Sequence, residues 1–147
     1  MEADTRSLTQ HFENVEDPRI DRKKLHKLID IIVITICGVI AGADSFDEIE
    51  IFGNAHVDWL KRFLELSNGI PSHDTFERVF RRLNPQEFKD AFLSWTKQLC
   101  VVFETTTEQR FYISSLESKV IKKIAHSIRS HWGGDRELPS LRIRRYF

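Results

Sequence analysis

Apolar residues recur at helical spacing along most of this chain, and short polar breaks divide them into separate helices. Leu8, Phe12 and Val15 make one brief apolar stripe, which Asp17-Pro18-Arg19 interrupts. From Leu25 to about Ala43 nearly every side is apolar and β-branched, the pattern of a helix buried at the centre of a domain. Gly38 and Gly42, four positions apart, would let a second helix approach closely; no glycine-rich phosphate fingerprint surrounds them. Ser45-Phe-Asp-Glu48 reads as a capping box for a helix running to about Leu66, with Ile49, Phe52, Trp59, Leu60, Phe63 and Leu66 on its apolar face. Asp44, Asp47, Glu48 and Glu50 crowd its first turn, where the helix dipole favours them.

Asn68-Gly69 then suits a left-handed helix end, and Pro71 stops continuation. Ser72 or Asp74 can cap a short helix over residues 75–83, with Glu77 completing a box with Asp74. Phe76, Val79, Phe80 and Leu83 would face a core. Asn84-Pro85-Gln86-Glu87 is a further start signal, for a helix through Phe88, Phe92, Trp95 and Leu99 to about Phe103. Thr105-Thr106-Thr107 breaks the pattern. Arg110-Phe-Tyr-Ile-Ser114 predicts a short strand, and Ser114-Ser-Leu-Glu117 the start of a basic helix to about Ser130. Beyond Trp132-Gly133-Gly134 no coherent face remains, so residues 136–147 are expected to be poorly ordered.

Composition changes this picture in two places. Apolar content of 41% with eleven Phe and three Trp excludes global disorder. The formal net charge of zero conceals a reversal: residues 1–105 carry 13 Lys+Arg against 18 Asp+Glu, and residues 106–147 carry 9 against 4. That reversal points to two pieces with different partners rather than one uniformly basic nucleic-acid binder. Cys37 and Cys100 sit in apolar helical contexts without a ligand-spaced partner, as expected of buried thiols in a reducing compartment. The six histidines combine at no metal-binding spacing. The polar start has no hydrophobic signal core, and the apolar run of residues 31–43 is shorter than the roughly 20 residues a bilayer demands. A soluble, cytoplasmic protein with no membrane partner is the expectation.

The candidate chemistry lies on the 75–83 helix. With its apolar positions turned inward, His73, Thr75, Arg78, Arg81 and Arg82 are left pointing elsewhere. A helix, a glycine turn and a second helix bearing polar and arginine residues is how a helix-turn-helix DNA reader is built. A plain helical hairpin with a solvated basic face has the same pattern. In the reader, the arginines would contact phosphates, with Ser72, His73 or Thr75 nearest the bases and Arg22, Lys23, Lys24 or Lys27 on further phosphates.

Three separated segments carry a family resemblance: Asp17-Pro18-Arg19, Ala41-Gly-Ala-Asp-Ser-Phe-Asp-Glu-Ile49, and Gly69-Ile-Pro-Ser-His-Asp-Thr-Phe76. Over about residues 8–100 the chain resembles the insertion-sequence transposases related to the H-repeat-associated proteins of bacteria. Those have a helical N-terminal domain followed by a DDE-type, ribonuclease-H-like catalytic domain. A second likeness, in Arg110–Leu116 and Ile128–Gly133, is to the family's C-terminal segment. The resemblance implies DNA, at insertion-element ends, as a partner. It implies a mainly α fold: a compact helical domain of about five helices over residues 1–105, then a short strand-helix remnant of the catalytic domain over residues 106–133, then a frameshift-like disordered tail over residues 134–147.

The family holds two Mg²⁺ ions between carboxylates, so that one ion activates the attacking oxygen and the other stabilises the leaving one. The Asp-Gly-Lys that supplies the first aspartate occurs nowhere in this chain, where Cys100–Glu108 leads straight into Gln109-Arg110. The second aspartate's region is also missing, and Asp135 stands where the family has its glutamate. A lone carboxylate holds Mg²⁺ weakly, so the site cannot assemble and catalytic inactivity is expected, with no cofactor. The wording after Gly133 departs from the family as a one-base frame shift would make it depart. The resulting expectation is a truncated, inactive transposase retaining a DNA-binding helical domain. The alternatives are a stand-alone helix-turn-helix module, or a protein-interaction module whose uncovered apolar surface drives self-association.

Overall fold

A computed structural model describes residues 8–20, 24–102 and 105–127; the expectations for Asp135 and the 134–147 tail lie outside the described residues. Seven helices are present among them: α1 (residues 8–12), α2 (Leu28–Ile40), α3 (Phe46–Ala55), α4 (Val57–Leu60), α5 (His73–Arg82), α6 (Pro85–Val102) and α7 (Thr107–Ser127). The mainly α expectation holds.

The chain is organised around α2. Ile31, Ile32, Val33, Ile34, Thr35, Ile36 and Val39 are all buried, so this helix needs neighbours on every side. The Thr35 hydroxyl is satisfied inside the helix by donating to the Ile31 carbonyl at 2.8 Å. On one side lies α3, and Gly38 makes the approach close: a Cβ there would stand 3.2 Å from Ile49 Cγ1 and 3.5 Å from Phe52 Cδ1. Gly42, expected to act the same way, instead occupies a turn at φ +109° with open space around it. Its role is the left-handed backbone that glycine adopts without strain.

An aromatic chain knits the remaining helices together. Ring centroids are 5.8 Å apart for Phe12 and Phe88, 5.9 Å for Phe46 and Phe80, and 5.6 Å for Phe80 and Phe88. Phe92 continues the series, 6.1 Å from Phe88 and 6.0 Å from Trp95. These separations lie in the range where aromatic pairs attract beyond simple burial. Asp17-Pro18-Arg19 forms a clasp: the Asp17 carboxylate accepts from the Arg19 backbone N–H and Nε at 3.0 Å and from Nη2 at 2.8 Å. Cys37 and Cys100 are half-buried rather than fully enclosed, and burial pushes the Cys37 thiol up to about 11.

Two further expectations, both about secondary structure, fail. The single helix to Leu66 breaks after Ala55 and ends at Leu60, leaving residues 61–72 irregular. Gly53 and Asn54 are weak helix formers. The His56 N–H is shared between the Phe52 and Gly53 carbonyls, and the break leads into a segment whose Ile70 packs on Gly53. Trp59 consequently lies 45% exposed instead of on a continuous apolar face. The strand predicted for residues 110–114 does not form either; they belong to α7. Thr106 and Gln109 make a reciprocal cap, Gln109 N–H donating to Thr106 Oγ1 at 3.3 Å and Thr106 N–H to Gln109 Oε1 at 2.9 Å. That cap starts the helix well before Ser114, and a strand there would have no partner to pair with among the described residues.

Helix α7 packs on α2 and α6. It buries Val120, Ile121, Ile124 and Ala125 in the same core as the preceding helices, and Lys123 pairs with Asp44 at the start of α3. In packing, residues 107–127 are therefore continuous with the helices before them.

Candidate functional site

Helix α5 forms where its apolar spacing and capping require it. The Ser72 hydroxyl accepts from the Thr75 N–H at 3.4 Å, so Ser72, not Asp74, is the cap. Phe76, Val79, Phe80 and Leu83 are buried, as expected. Asn84 caps α6 immediately afterwards, accepting from the Gln86 N–H at 2.9 Å and the Glu87 N–H at 3.2 Å. With its N-terminus capped by Ser72 and its apolar positions buried, α5 presents its remaining face outward.

The geometry is not that of a tight helix-turn-helix. Such motifs join their helices through about 3–4 residues, whereas residues 61–72 separate α4 from α5. Gly69 does adopt a positive φ of +74°, donating its N–H to the Leu66 carbonyl at 3.0 Å, but the turn it makes follows irregular chain rather than a helix. Leu66 itself has φ +46°, and its N–H donates to the buried Asp30 carboxylate, which partial burial holds above its ordinary 3.8. Helix α3 packs against α5, and Phe88 of α6 meets Phe80.

The six candidate residues divide into two groups. Arg78, Arg81 and Arg82 lie exposed on the second half of α5. Arg78 Nε donates to the Asp74 carbonyl at 3.3 Å, and Arg81 pairs with Glu77 one turn back. Ser72, His73 and Thr75 at the other end are engaged internally. The Ser72 and Thr75 hydroxyls are 3.2 Å apart. The Glu50 carboxylate of α3 accepts from the His73 backbone N–H at 2.7 Å and from His73 Nδ1 at 2.8 Å. Asp47 stands 3.6 Å from Nδ1, and Asp74 3.4 Å from Nε2. The Glu50 hydrogen bond, with Asp47 and Asp74 adding to it, holds the His73 pKa above its ordinary 6.5, while the two His73 donors hold Glu50 below 4.5. Sequence reasoning assigned Asp47 and Glu50 to dipole compensation and missed this pairing. Their three-residue spacing puts them on one face of α3, but nothing in the sequence says that this face meets α5.

The further basic residues are dispersed. Lys27 pairs with Glu65, and Lys24 stands 4.0 Å from Asp17. Both line a cleft of about 420 Å³ with Arg19, His26, Asp30 and Glu65, whose charges largely cancel. Arg22 and Lys23 fall outside the described residues. For the Mg²⁺ pair that the resemblance implies, the donor set does not fit. Among the described residues no group of three or more His, Cys, Asp or Glu could hold a metal ion, and the carboxylates that converge do so around an imidazole that donates to one of them. Among the described residues, no helix is long and apolar enough to cross a membrane.

Known proteins match the same stretch of chain. The family model described as DDE_Tnp_1-associated matches residues 9–96. The chain is 47% identical over 85 residues to "Uncharacterized protein in dhlA 3'region" of Xanthobacter autotrophicus, covering 57% of this chain and 29% of that one. It is 41% identical over 92 residues to "H repeat-associated putative transposase YhhI" of Escherichia coli strain K12, covering 63% and 24%. It is 46% identical over 74 residues to "Inactive transposase YbfQ" of the same strain, covering 50% and 88%. The match thus spans only 29% and 24% of the lengths of the first two relatives. No solved structure matches. Helix α7 lies wholly beyond the matched residues.

Proposed function

From the premise that the chain belongs to the DDE_Tnp_1-associated family, we propose that it is a catalytically inactive transposase remnant whose helical domain keeps a DNA contact on α5. The observation that carries the reading is the outward face of α5, where Arg78, Arg81 and Arg82 stand exposed on a helix capped by Ser72 and buried along its apolar face. Guanidinium groups suit phosphate oxygens, and a rigid helix positions them together. In this reading Ser72, His73 and Thr75 form the end of the helix nearest the bases. DNA at insertion-element ends is the partner and the cytoplasm the place of action.

By ancestry the proposal divides the chain into a helical domain (1–105), a C-terminal remnant of the catalytic domain (106–133) and a frame-shifted tail (134–147). Support for lost catalysis comes from inside the chain: Cys100–Glu108 runs directly into Gln109-Arg110 where the family resemblance requires the body of the catalytic domain, and no Asp-Gly-Lys occurs. The name of the similar YbfQ protein records inactivity in one relative.

Two assays test the reading. The full chain is expected to retard duplex DNA in a mobility-shift gel, and the Arg78→Ala/Arg81→Ala/Arg82→Ala variant is expected not to. A Mg²⁺-dependent strand-cleavage assay is expected to give no product above background; cleavage by the purified chain would overturn the loss of catalysis. A second reading, self-association through an apolar surface, is favoured by Val101, Phe111 and Tyr112, which lie 74%, 81% and 66% exposed near the α6–α7 turn. Sedimentation that stays concentration-dependent at high salt, with no DNA shift, would favour it.

A further inference from the structure

The end of α5 that a groove reader inserts is the end this fold makes acidic. In helix-turn-helix readers the N-terminal residues of the second helix meet the base edges. Here those residues are committed elsewhere. Ser72 caps the helix and contacts the Thr75 hydroxyl, and His73 is tied by its backbone and its ring to Glu50. A helix N-terminus contributes about half a positive charge. Three carboxylates, Asp47, Glu50 and Asp74, surround it, against at most one imidazolium. The end stays negative whether His73 is protonated or not.

At the other end stand Arg78, Arg81 and Arg82, of which Arg81 pairs with Glu77. From His73 the helix rises about 12 Å to Arg81 and about 14 Å to Arg82, with Arg78 between them and the acidic end at about 8 Å. The distances to Arg81 and Arg82 exceed a screening length of about 8–10 Å at physiological salt, so an approaching duplex meets those two arginines and the acidic end as separate charges.

Resting on the arginine contact of the DNA reading above but not on its placement of Ser72, His73 and Thr75 nearest the bases, we propose that α5 is a phosphate clamp without base readout: Arg78, Arg81 and Arg82 hold the backbone, while the Asp47, Glu50, Asp74 and His73 cluster keeps the N-terminal end of the helix out of the groove. The partner is then the sugar-phosphate backbone of any duplex, and specificity for element ends has to come from outside this helix.

The test uses the full chain and two short fluorescent duplexes of equal length and composition. One carries the terminal repeat of the element that encodes the chain; the other is its scramble. Fluorescence anisotropy is expected to give affinities equal within about threefold. Asp47→Asn, a change at an exposed side chain, is expected to strengthen binding to both duplexes by the same factor, because it removes a charge that repels every phosphate equally. Discrimination of about tenfold or more, abolished by His73→Ala or Thr75→Ala, would overturn the clamp while leaving the DNA reading intact, since a single good bidentate base contact discriminates on that order. Failure to bind either duplex would remove the DNA reading and the clamp with it.

Discussion

Truncating the buried face of α7 tests whether this helix is structurally part of the domain, although the family match stops at residue 96. Ile121 and Ile124 are each 1% exposed in the core shared with α2 and α6. Removing a buried isoleucine down to alanine costs about 2–5 kcal/mol, the spread reflecting how far the surroundings collapse. A domain of this size has about 5–15 kcal/mol in total. Either Ile121→Ala or Ile124→Ala therefore removes a large fraction, and the double variant is expected to be largely unfolded. With a urea dependence of about 1–3 kcal/mol per molar, each single change lowers the unfolding midpoint by roughly 1–2 M. Far-UV circular dichroism and tryptophan fluorescence through Trp59 and Trp95 follow the transition. The control is Phe111→Ala on the same helix, where the side chain is 81% exposed and the change should stay within about 0.5 kcal/mol. Ile121→Ala and Phe111→Ala variants with the same midpoint would refute the packing argument, leaving α7 as a helix that leans on the domain without completing it.

Other consequences are independent of α7. Gly53→Ala places a Cβ 2.7 Å from Ile70 Cγ2, and the overpacking should cost about 1–3 kcal/mol in urea unfolding; a neutral result would show that the 61–72 segment yields freely. Ser72→Ala removes the α5 cap and should cost about 1 kcal/mol. The His73 pKa is raised, chiefly by its hydrogen bond to Glu50, so the folded chain holds that proton more tightly than the unfolded chain. The resulting stabilisation is fully present below the unfolded value of 6.5 and is lost as pH rises through the higher folded value. Midpoints measured across this window should fall more steeply for the wild type than for His73→Gln. Parallel profiles would show that the tie contributes nothing.

How much of this was readable from the residues varies by element. For α5, α6 and the start of α3 nearly everything was local. Ser72, Asn84 and Ser45 each accept from backbone donors of the next turn, and the apolar positions behind them face the core. Elsewhere, features outside the segment decided. Phe111-Tyr112-Ile113 has strand-like composition, but the Thr106–Gln109 cap and the buried Val120–Ala125 face recruit it into a long helix. Gly53 was read as helix interior, yet it marks where Ile70 must pass. The candidate site was half legible: the arginines stand where helical spacing put them, whereas the carboxylates that occupy His73 arrive from α3 through tertiary packing.

The central claim is that the arginine face of α5 binds DNA phosphates, and one salt titration reaches it directly. Anisotropy of a labelled duplex with the full chain is measured across a salt series, for the wild type and for the Arg78→Ala/Arg81→Ala/Arg82→Ala variant. Three phosphate contacts predict a slope of log affinity on log salt of about −2.7, falling towards zero in the variant. An unchanged slope in the variant would place the contact elsewhere and contradict the account.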